Sequence, residues 1–68
     1  MDINIRKAVM ANLNGATNDD VRKTIVDAIN MGEEKVLPGL GVLFEVFWQK
    51  CNEDERAVVL QKIAEAIK

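Results

Sequence analysis

A chain of 68 residues and 7.6 kDa allows one domain, and at this size folding removes only about 60% of the surface the unfolded chain exposes, so any core must be small and dense. With no His, no Ser, no Tyr and a single Cys, one copy cannot assemble a Ser-His-Asp triad, a Cys-His dyad or a zinc site built from His or several Cys. Nine basic against eleven acidic residues give a net charge of -2 and a pI of about 5.0, without the positive excess of a protein that binds the phosphate backbone.

Cys51 stands alone, which precludes an internal disulfide and fits a reducing compartment. The start, Met1 to Lys7, lacks the basic-then-apolar order of a leader, and no apolar run approaches the length that crosses a bilayer. The expectation is a single soluble helical domain over residues 1–68, with no membrane, cofactor, metal or small-molecule substrate.

From Asp2 to Leu13, apolar Ile5, Ala8, Val9 and Leu13 recur at spacings of three and four, which predicts a first helix with Asp2 as its N-cap. Asn14-Gly15 ends it, because both residues tolerate left-handed backbone. Thr17 followed by Asn18-Asp19-Asp20 then supplies a capping hydroxyl and acidic first-turn residues. The second helix runs to about Met31 with Val21, Ile25, Ala28 and Ile29 on one face, a Lys23–Asp27 pair one turn apart, and Gly32 as its C-terminal stop. Glu33 to Leu37 is expected to be an irregular connector, since Pro38 disfavours helical geometry at the residue before it.

Pro38 can open a third helix, because its missing amide costs nothing in a first turn. The run Val42 to Trp48 is apolar enough for a buried strand, yet a strand would seat Glu45 between Leu43 and Phe47 on one face with no partner for the carboxylate. As a helix over about 38–51, it carries a core stripe of Leu40, Leu43, Phe44, Phe47 and Cys51. Gly41, Glu45, Gln49 and Asn52 lie elsewhere, and Val42 and Val46 form a second apolar side that needs its own cover. Asn52 with Glu55 is a capping-box variant that starts a last helix, whose apolar stripe is Val59, Leu60, Ile63, Ala64 and Ile67. The expected fold is all-α, a small orthogonal or bundle-like array of four helices around an apolar central helix.

The candidate sites follow from that array. Val42, Val46 and Trp48 are the candidate interface, for a second copy of the chain or another protein. Gly39 and Gly41 are candidates for close helix packing; without a Walker or dinucleotide glycine pattern they do not read as a phosphate cradle. Cys51 reads as a small buried hydrophobe, and Glu45 as a residue at a solvent or interface edge with no second carboxylate to assist catalysis. Arg6, Lys7, Arg22, Lys23 and Lys35 support weak nucleic-acid association as the rival reading.

Met1-Asp2-Ile3-Asn4-Ile5-Arg6 with Ala8-Val9, Thr24-Ile25-Val26-Asp27-Ala28-Ile29, and Gly32 through Lys35 into Leu37-Pro38-Gly39-Leu40-Gly41-Val42-Leu43-Phe44-Glu45-Val46 together resemble the small acid-soluble spore protein I family. Leu37 to Trp48 is the most specific part of the resemblance; the last helix matches in character more than residue by residue. The resemblance implies a minor, non-enzymatic protein made in the forespore of endospore-forming bacteria and kept in the spore core. It does not carry over the activity of the major DNA-coating spore proteins, whose DNA-binding and germination-protease motifs this chain lacks.

Overall fold

The computed structural model describes residues 4–68, and among them every regular element is helical. Helix α1 spans Ile5–Asn12, α2 Asn18–Met31, α3 Leu37–Lys50 and α4 Glu53–Ala66, with one 3₁₀ turn over Glu34–Val36. The local chemistry that starts and stops these helices is mostly that expected of the sequence. The Thr17 hydroxyl accepts from the Asp20 amide while the Asp20 carboxylate accepts from the Thr17 amide, both at 3.1 Å. Asn52 and Glu55 make the same reciprocal pair at 2.8 Å in both directions. Each box satisfies amides that the first turn of a helix leaves without partners. Gly32 closes α2 at φ 68°, and Gly15 turns the chain after α1 at φ 82°, values that side chains with a Cβ rarely adopt. Of the Asn14-Gly15 pair expected to end α1, Gly15 is the one that takes the left-handed backbone.

Two boundaries differ from expectation. The α1 cap is Asn4, whose side chain accepts from the Lys7 amide at 3.1 Å; the expected cap, Asp2, lies outside the described residues. The connector before α3 is not irregular: Leu37 is helical at φ -61°, ψ -41°, so the 3₁₀ turn runs straight into α3. Pro38 restricts the residue before it but does not forbid helix, and in the first turn it has no amide to leave unpaired.

Helix α3 is the middle of the array, as expected, with α1 as its principal neighbour. The side that meets α1 is the one carrying Val42, which is 8% exposed; with Cys51 at 9% it makes up the buried core of the described residues. The stripe expected to be core is therefore split. Leu40 and Leu43 are half-buried and Cys51 is buried at the C-cap, but Phe44 and Phe47 remain 43% and 47% exposed. The α2 helix touches the 3₁₀ turn, and α4 follows α3 after the two-residue link Cys51-Asn52, where the Cys51 amide donates to the Phe47 and Trp48 carbonyls at 3.1 Å. The accessible surface is 5830 Å². A compact monomer of this mass exposes about 4,300 Å², so the helices are set down without closing over their apolar faces.

Gly41 lies inside α3 with open space where a Cβ would stand. Gly41→Ala is expected to raise stability by about 0.5–1 kcal/mol in urea unfolding followed by circular dichroism. In the same measurement, Thr17→Ala and Asn52→Ala are each expected to lower it by about 1 kcal/mol.

Candidate interaction surface

One turn of α3 builds an outward aromatic surface. The rings of Phe44 and Phe47 meet edge to face at 6.0 Å, and Phe44 lies 5.9 Å from the Trp48 ring at an interplanar angle of 32°. Such pairs are mutually attractive, so the three rings hold each other as a continuous plate. Beyond Trp48 the plate continues into a groove between α3 and α4, lined by Phe44, Glu45, Trp48, Gln49, Leu60 and Ile63.

Arg56 fixes the angle at which α4 leaves α3. Its Nε and Nη2 donate to the Trp48 carbonyl at 3.1 and 3.0 Å, its Nη1 donates to Glu53 at 2.9 Å, and its guanidinium carbon lies 5.1 Å from the Trp48 ring centroid. The fork satisfies a carbonyl at the end of α3 and covers an indole face at once, which a lysine cannot do. Beside the α3–α4 groove, which Glu45 also lines, Arg6 grips the Glu45 carboxylate with a similar fork: Nε donates to both carboxylate oxygens at 3.1 Å and Nη2 to Oε1 at 2.8 Å. The Glu45 carboxylate, through those hydrogen bonds first and its charge second, raises the Arg6 guanidinium above its already high ordinary pKa.

The residues singled out by sequence are placed as follows. Val42, expected at an interface, is covered inside the chain because α1 packs on that side of α3, so it offers no surface to a partner. Val46 is half-buried and faces a groove shared with Val9, Leu13, Val21 and Ile25; Trp48 is half-buried under Arg56. Gly39 faces Val9, whose Cγ2 would sit 3.9 Å from an added Cβ, an ordinary contact, and Gly41 faces open space. Neither glycine is made necessary by a close approach. Of the five basic residues in the rival reading, Arg6, Lys23 and Lys35 are engaged with Glu45, Asp27 and Glu33 at 2.8, 3.0 and 3.3 Å. Among the described residues no cluster of three or more His, Cys, Asp or Glu could hold a metal ion, and no helix is long and apolar enough to cross a membrane.

Phe44, Phe47, Leu60, Ile63 and Arg56 are the surface residues that sequence reasoning missed or assigned to the core. Periodicity could not find them, since it marks a face as apolar without saying whether a neighbour covers it.

The family model described as small, acid-soluble spore protein I matches residues 3–67. Curated relatives carry the same name. One from Halalkalibacterium halodurans is 51% identical over 67 residues, covering 98% of both chains. One from Bacillus cytotoxicus is 53% identical over 68 residues, covering 100% of this chain and 97% of its own, and one from Bacillus cereus strain AH187 is 52% identical over 68 residues, covering 100% and 99%. No solved structure matches the chain.

Arg56→Ala is expected to destabilise the fold by about 1–2 kcal/mol and to shift Trp48 fluorescence to longer wavelength as water reaches the ring. Arg56→Lys is expected to recover the charge but only part of the stability and of the blue-shifted emission.

Proposed function

The chain belongs to the small acid-soluble spore protein I family, and from that membership we propose a non-enzymatic protein, made in the forespore and held in the spore core, that acts by packing its outward α3–α4 face against protein. The family makes it a protein of sporulation and of the spore. The observation that carries the mode of action is the exposed pair of rings Phe44 and Phe47, with half-buried Trp48 beside Phe44 and exposed Leu60 and Ile63 across the groove, on a chain with only two buried hydrophobes among its described residues. Contiguous apolar surface of this kind marks protein contact. The residue inventory supports the non-enzymatic part: without His or Ser the chain cannot build a Ser-His pair, and its Glu45 carboxylate is held by Arg6.

Nucleic-acid association is the weaker reading, because the charge balance is acidic and three of the basic residues it would use are engaged with carboxylates of the same chain. The two readings separate in intact spores. A photoreactive phenylalanine analogue replacing Phe47 is expected to capture protein, and the same group replacing Asp27 on α2 to capture markedly less, with DNA recovered from neither. Capture of DNA, or equal capture from both positions, overturns the packing role.

A further inference from the structure

The proposed packing role leaves the partner open, and the last helix carries a pattern that narrows it. Ala57, Leu60, Ala64 and Ile67 follow one another at spacings of three, four and three, the seam along which two helices pair in a coiled coil. All four are exposed, and they sit beside the groove that Leu60 and Ile63 share with Phe44 and Trp48. A seam that faces solvent is work left unfinished by the monomer. Building on the packing role above, we propose that the partner is a second copy of this chain, docked through an antiparallel α4–α4 contact about a two-fold axis.

The seam suits itself. In an antiparallel pair the two kinds of seam position face each other, so Leu60 meets Ala64 of the partner subunit and Ala57 meets Ile67 of the partner subunit. Every layer then sets one large side chain against one small one, the self-complementarity that a two-fold contact requires. The same arrangement brings Lys68 of the partner subunit within about a turn of the acidic Glu53-Asp54-Glu55 that opens α4, and it opposes the two helix dipoles. The incoming helix also covers the Phe44 edge of the groove.

The area agrees. The chain exposes 5830 Å² where a compact monomer of its mass exposes about 4,300 Å², a surplus of about 1,500 Å². A stable interface of standard size removes about 800 Å² from each partner. One two-fold contact of standard size would take up about half of the surplus, and the large-against-small layers explain why a second copy fills the place better than an unrelated helix.

Sedimentation equilibrium of the full chain from micromolar to millimolar concentration tests this. The expected result is a dimer whose dissociation constant rises at least about 100-fold in Leu60→Glu, which would bury a charge without a partner. Val58 provides the control, since it is 53% exposed against 56% for Leu60 but points away from the seam; Val58→Glu is expected to leave the constant within about threefold. Because Leu60→Glu could cost folding along with pairing, a second experiment keeps the helix intact. With Cys51→Ala in every chain to remove the native thiol, an equimolar mixture of Leu60→Cys and Ala64→Cys chains is expected to oxidise to a disulfide-linked dimer, while Val58→Cys chains remain single. A folded monomer at millimolar concentration, or equal effects at Leu60 and Val58, overturns self-pairing. If the chain is monomeric yet the Phe47 position still captures another protein in spores, self-pairing falls and the packing role stands. If the seam pairs in solution but that position captures only DNA, the packing role falls and self-pairing stands.

Discussion

Everything outward-facing on this protein follows from where α1 lies on α3. Helix α3 is apolar on more than one side, and a helix can give only one of those sides to a given neighbour. Val42 lies on the side that α1 covers, and the Arg6 guanidinium spans across to Glu45, one turn of α3 away, on three hydrogen bonds. Glu45 thus belongs to the edge of the α1 contact. With α1 there, Phe44 and Phe47 are turned to the solvent, and the aromatic plate exists because the chain is too short to supply another helix over it.

The helices themselves do not depend on that core for their ends. Capping boxes at Thr17 and Asn52, the left-handed Gly32 and the proline in the first turn of α3 are local devices, each complete within a few residues. Fourteen-residue helices in water nevertheless need tertiary contacts to be well populated. In α4 those contacts are few: Val59 and Arg56 are half-buried, while Leu60, Ile63 and Ile67 stay exposed. Arg56 therefore matters beyond its own bonds, since its hold on the Trp48 carbonyl and ring sets how α4 leaves α3 and how wide the groove between them stands. A protein so assembled has well-specified helices and loosely specified contacts between them.

That condition also bears on its place in the spore. A protein with an acidic charge balance and several of its basic residues paired internally has little with which to hold a polyphosphate. What it exposes instead is apolar area, Phe44 and Phe47 among it. The small acid-soluble spore protein I relatives are 51–53% identical to it over nearly their whole length.

The sequence by itself determined four helices, the Thr17 and Asn52 caps, the Gly32 stop, the Lys23–Asp27 pair and the family, because each of these is written in residues a few positions apart. It also showed that the central helix is apolar on more than one side. Only the tertiary structure decided which side is inside: Val42 went in, Phe44 and Phe47 stayed out, and Glu45 found Arg6 thirty-nine residues away. Periodicity measures how apolar a face is, whereas burial depends on which distant segment arrives to cover it. In a chain of this size there are too few segments to cover them all.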